Sequence, residues 1–215
     1  MLSSNELMAT LNQNERKFIS KLNSPFQIQS FLDSVPYSCD PIYRCPIQVL
    51  RDRTAHCFDG AVFGAAMLSL IGFPPLILDM IPNGRDDEHM LALFKIDGHW
   101  GAIAKSNTVG LRFREPVYRS LRELVMSYFE LYYNTEGEKT LRGYTVPLNL
   151  ETFDADHWMT SAASMDRIAQ RTDEIRRYPL MTPKMIERLS PVDDRLFEAC
   201  LLGADDAGLF TPEKK

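Results

Sequence analysis

The sequence predicts an α+β fold in which a buried helix carrying Cys57 packs on an antiparallel sheet, with further helices before and after. Three observations carry that prediction. An apolar segment from Phe58 to Ile71 follows a turn-like stretch, 51–56, and stops at Gly72, Pro74 and Pro75, as one core helix would. Two strand-like runs, 89–96 and 100–105, flank Asp97 and Gly98, the strongest short-range hairpin signal. Both ends of the chain instead space their apolar residues at helical intervals.

The elements follow in order. Residues 4–22 carry Leu7, Met8, Leu11, Phe18 and Ile19 in a ragged helical pattern. Ser24 is an N-cap with proline next, so a helix is expected from Pro25 to Ser34, stopped by Val35 and Pro36. Residues 38–55 read as irregular and deliver the chain to Cys57. After the core helix, 76–81 is a buried strand and 82–88 a polar, acidic loop. The hairpin comes next. Residues 109–114 add a strand, and Pro116 opens a helix over 117–133 with Leu121, Leu124, Val125 and Tyr128 on its apolar face. Beyond 150 the pattern is helical again: 160–177, a helix capped by Thr182 and Pro183, and 195–202 ended by Gly203. The expected division is a core with N-terminal helices, 1–150, and a helical extension packed on it, 151–215.

Composition narrows the function. A chain of 215 residues with 45% hydrophobic content buries a real core, while a net charge of −5 excludes a general nucleic-acid or anionic-membrane binder. Residues 1–6 show no basic and apolar leader pattern, and no apolar run reaches the roughly eighteen residues that span a bilayer. A cytoplasmic protein is expected. Four cysteines, at 39, 45, 57 and 200, suit a reducing compartment better than a disulfide framework, although Cys39 and Cys45 are close enough in sequence to pair. Neither paired Cys nor paired His spacing supports a metal site, and no cofactor motif is present.

Cys57 has the most chemical promise. On the first turn of a helix, free backbone N–H groups and the helix dipole favour a thiolate and supply an oxyanion hole. His89, at the start of a strand, can return beside it as a general base. The plainer readings are a packed core thiol for Cys57, a solvent-edge histidine paired with Asp86 or Glu88 for His89, and a helix-flanking residue for His56.

Taken together, Ala55 to Ala61 around Cys57, the apolar helix ending near Pro74, His89 opening a strand, and Asp97, Gly98 and Trp100 in the hairpin resemble the core of the transglutaminase-like superfamily. The match covers roughly residues 25–110. What the resemblance implies is a helix-borne cysteine nucleophile, a strand-borne histidine, and a triad aspartate four residues after the hairpin tryptophan. That position here is Ala104. Asn107 is the first candidate to orient His89 instead, with Ser106 second and Asp97 and Asp79 weaker. Trp100, Arg112 and Arg114 are candidate substrate contacts, since two arginines on one strand face can grip a carboxylate, although pairing with Glu115 and Glu123 is the plainer reading.

Two functions are open at this point. One is a cysteine peptidase, amidase or transglutaminase-like acyltransferase acting on a peptide, a protein or a small amide. The other is a catalytically impaired domain of the same fold that binds a peptide or a protein.

Overall fold

The computed structural model describes residues 2–212 and confirms the α+β class, an antiparallel sheet with helices on its faces. Three short helices open the chain: α1 (Leu2–Thr10), α2 (Gln13–Ile19) and α3 (Pro25–Ser34). Ser24 caps α3 by accepting from the Gln27 N–H, as its place before proline predicts. The stretch read as irregular contains α4 (Pro46–Asp52), about two turns that Pro46 starts. Helix α5 (Cys57–Leu70) follows, and every residue from Phe58 to Ser69 is buried, which is why it shows no amphipathic stripe.

The sheet has the order β4-β3-β2-β1-β5-β7. Its centre is β1 (Leu76–Pro82), β2 (His89–Ile96) and β3 (His99–Ile103), and the β2–β3 hairpin turns at Asp97 and Gly98, with φ of 49° and 81°. Both residues therefore take the left-handed conformation that a two-residue hairpin demands. Apolar groups cover both faces. Met90, Ala92 and Phe94 meet α5 and the N-terminal helices, while Leu91 and Leu93 meet a second cluster with Leu124, Tyr128 and Tyr132. A strand buried on both sides reads as a continuous apolar run, as β2 does.

Other elements differ from expectation. Residues 106–113 form a loop, and Pro116 lies inside β4 (Arg114–Tyr118), an edge strand where its missing N–H costs no ladder bond. The expected long helix is reduced to α6 (Leu121–Met126), capped by Ser120, and a 3-10 turn at Phe129–Leu131. Two further strands, β5 (Leu141–Thr145) and β6 (Leu148–Asn149), pair with β1. Past residue 150 come α7 (Ala163–Glu174), β7 (Arg177–Pro179), α8 (Pro183–Ile186) and α9 (Asp194–Leu201). Strand β7 pairs with β5, so this segment contributes to the sheet as well as to the helical layer. Among the described residues no helix is long and apolar enough to cross a membrane. All four cysteines are free, Cys39 and Cys45 included.

Candidate active site

Two local features place Cys57. The segment after Pro36 pairs with Ala55 as a parallel bridge, Ser38 N–H donating to the Ala55 carbonyl at 3.0 Å, and this sets Tyr37 beside the start of α5. Helix α5 also closely approaches the segment just after β3, because a Cβ on Gly60 would stand 2.2 Å from Lys105 Cβ. His56 caps the helix, its Nδ1 accepting from the Phe58 N–H at 3.2 Å, as the helix-flanking reading requires. Asp59 on the same first turn is wholly buried and accepts from the Arg44 N–H at 2.8 Å, tying the preceding loop to the helix.

Cys57 and His89 line one cleft of about 770 Å³. The thiol donates to the Glu88 carbonyl at 3.8 Å rather than to the imidazole. The Tyr37 hydroxyl lies against the Cys57 N–H and thiol, and the sequence carries no signal for it, since the bridge that brings Tyr37 to Ala55 is a tertiary contact. Burial pushes the Cys57 thiol up to about 12, with Asp79 and Asp87 adding to the rise and the Met90 N–H opposing it. Desolvation opposes the lowering expected at a helix N-terminus, although Cys57 itself is half-buried at the cleft. Dipole stabilisation of about 0.3–2 kcal/mol is smaller than the roughly 4 kcal/mol that three pK units represent.

His89 is buried and makes no ion pair with Asp86 or Glu88 among the described residues. Its Nε2 lies 2.7 Å from the Leu111 carbonyl. A carbonyl only accepts, so Nε2 carries the proton and Nδ1 keeps the lone pair. Burial is the main reason that the imidazole is pushed down to about 4. At neutral pH the site therefore rests as a neutral thiol and a neutral imidazole.

The orienting hydrogen bond expected from Asn107 is made by Leu111. Asn107 is engaged elsewhere: its Nδ2 donates to the Asp205 carbonyl at 2.8 Å and its Oδ1 accepts the Asp205 N–H at 2.9 Å. Ser106 accepts from the Thr108 N–H at 3.1 Å, because β3 ends at Ile103 and the chain turns away before reaching His89. Ala104 is buried among apolar groups, its backbone held on both sides by Gln29. Asp97 sits in the distant hairpin turn and Asp79 on the strand face opposite His89.

None of the three candidate substrate contacts is free for that use at this cleft. Trp100 lies at the far end of β3, its ring under Lys95 Nζ at 4.8 Å. Arg112 pairs with Asp33 at 3.2 Å. Arg114 donates to Ser127 Oγ at 3.0 Å and to the Gly110 carbonyl at 3.1 Å, and its guanidinium stacks 3.8 Å above Tyr128. These contacts pin the loop that carries Leu111. Val109 N–H donates to the Cys200 carbonyl and Tyr128 donates to the Arg112 carbonyl, so every residue from 109 to 112 is held.

Among the described residues no group of three or more His, Cys, Asp or Glu side chains is placed to hold a metal ion. Fold and site together define an α+β protein with a cysteine and a histidine on one cleft. Neither a protein-family model nor a curated protein matches the chain. Among solved structures it is similar to LapG from Legionella pneumophila. The EGTA-treated form is 14% identical, with a TM-score of 0.41, over 77% of this chain and 95% of that one. A second LapG structure is 16% identical, with a TM-score of 0.35, over 47% and 70%. Likeness at that level is at most a distant relationship and assigns no role to a residue.

Proposed function

We propose that the chain is a thiol-dependent acyl-transfer enzyme acting on a peptide, a protein or a small amide. The observation that carries this reading is the shared cleft, with Cys57 on the first turn of α5 and a His89 ring whose tautomer is set by Leu111 so that Nδ1 is the basic atom. Cys57 Sγ would attack the carbonyl carbon, forming an S–C bond as the thiol proton passes to Nδ1. The imidazolium would then protonate the leaving nitrogen as the C–N bond breaks, and water or an amine would resolve the thioester. The Tyr37 hydroxyl and the Cys57 N–H, which now face each other, are the donors available to the oxyanion. Transglutaminase-like element order in the sequence supports the same reading. Neither a nucleic acid nor a membrane is proposed as a partner, in keeping with the acidic charge.

Acylation by a p-nitrophenyl ester tests it. One acyl adduct that maps to Cys57, forms faster than any on Cys39, and is lost in His89→Ala supports the enzyme. Adducts spread over the cysteines in proportion to exposure would sink it. A second reading, a binding module, is favoured by one observation: the acceptor behind His89 is a neutral carbonyl, which cannot offset imidazolium charge as a carboxylate does.

A further inference from the structure

The outer wall of the Cys57 cleft is made by residues 207–211 of the same chain. This segment belongs to no sheet: residues 206–208 make a 3-10 turn capped by Asp205, and the segment is attached to the two rims of the cleft through its backbone. Asn107 grips both the N–H and the carbonyl of Asp205, and Thr135 Oγ1 on the opposite rim donates to the Phe210 carbonyl at 3.2 Å. Contacts of this kind recognise backbone, and the side-chain sequence matters at two places: Asp205, whose carboxylate accepts from the Ala207 N–H at 3.0 Å and from Cys39 Sγ at 3.9 Å, and Gly208. Gly208 lies flat against Tyr37, and a Cβ there would stand 2.9 Å from both the Tyr37 ring and Asn107 Nδ2. Tyr37 is the residue whose hydroxyl meets Cys57, so the strap rests on the nucleophile's own neighbour.

We propose that the outer rim of this cleft is a peptide-binding groove, read by Asn107 as a backbone clamp and by Tyr37 as a shelf that admits only glycine, and that residues 205–212 occupy that rim in cis. The peptide it takes in trans carries glycine three positions after the clamped residue, followed by two apolar residues, as Leu209 and Phe210 follow Gly208. This rests on the thiol-enzyme reading only for what happens after binding; the groove itself is a statement about recognition.

The test uses the full chain carrying Cys57→Ala, so that binding is read without chemistry. A fluorescent peptide with the sequence of residues 204–212 is titrated against this parent and against versions whose strap is released. Gly208→Val releases it by collision with Tyr37, and Asp205→Pro by removing the N–H that Asn107 accepts. Both released chains should bind the peptide at least about tenfold more tightly than the parent, and Asn107→Ala on a released chain should lose about tenfold. The same peptide with valine in place of glycine should bind at least about tenfold more weakly. Equal affinity of parent and released chains, or equal affinity of the glycine and valine peptides, would overturn the groove. Peptide binding as expected, with no acyl adduct on Cys57 in the ester assay, would instead leave the groove standing and remove the enzyme.

Discussion

Burial, rather than the helix dipole, sets the reactivity of Cys57, and alkylation against pH measures the balance. With the thiol pushed up to about 12, each unit below that value costs tenfold in thiolate, so at pH 7 about one molecule in 10⁵ is ionised. An ordinary thiol with a pKa of about 8.5 is a few per cent ionised at pH 7, a difference of about a thousandfold. Iodoacetamide labelling from pH 6 to 8, read by peptide mapping, should therefore show Cys57 reacting slowly and accelerating tenfold per pH unit without a plateau. Cys39 is exposed and should react first, even though partial desolvation and then Asp205 raise it. This reverses the order that a helix N-terminus alone suggests. A Cys57 rate that levels off below pH 7, or that exceeds the Cys39 rate at pH 6.5, would refute the argument and show a thiolate–imidazolium pair at rest. Releasing the strap with Gly208→Val should raise the Cys57 rate, because water entering the cleft removes part of the desolvation that dominates the shift.

Three other expectations follow from buried groups. Asp79 is wholly buried, neither carboxylate oxygen has a hydrogen-bond partner among the described residues, and burial followed by the nearby Glu88 charge pushes it up to about 9. The folded state thus holds a proton that the unfolded chain releases near pH 4, and this contribution falls as pH rises toward 9; between pH 6.5 and 8 the loss is about 2 kcal/mol, which Asp79→Asn should abolish in urea melts. Arg114→Ala should cost about 2–3 kcal/mol through the lost hydrogen bonds and the Tyr128 stack, and should shift the His89 imidazole signals in NMR spectra by loosening Leu111; Arg114→Lys, lacking the fork, should not restore them. Gly60→Ala forces α5 off the segment just after β3 and should lower stability by about 3 kcal/mol, read by thermal melting with no new cleft chemistry.

The parts of the fold that were legible in the sequence are those decided locally. Ser24 before Pro25, the Asp97-Gly98 turn and the largely apolar α5 each specify their element within a few residues. Strands β5 and β7 were not legible, because β5 alternates around Gly143, and β7 is three residues long and exists by pairing with β5. At the site, Cys57 and His89 stood out by residue type and spacing. Leu111 and Gly208 act through a carbonyl and through a missing side chain, and neither function leaves a mark in residue identity. Asn107 was singled out as a polar residue near the right strand, and its amide is indeed fully used, but on Asp205 across the cleft.

The point at which β3 ends decides where a carboxylate could still support His89. The ladder stops at Ala92 with Ile103; beyond it Ala104 is held by Gln29, while Ser106 lines the cleft that His89 shares. Ala104 is sealed inside the apolar cluster, and a charge there has no donor to meet it. Ala104→Asp should therefore destabilise the fold by about 3–5 kcal/mol without changing His89, the usual cost of an uncompensated buried charge. Ser106→Asp, on a half-exposed residue at the cleft, should raise the His89 pKa from its depressed value near 4, as followed by imidazole proton shifts against pH. If Ala104→Asp raised it and Ser106→Asp did not, Ser106 could not be the residue of this loop that faces the histidine. A gain of acylation rate with Ser106→Asp would further show that the missing ingredient is charge, since Leu111 already fixes the tautomer.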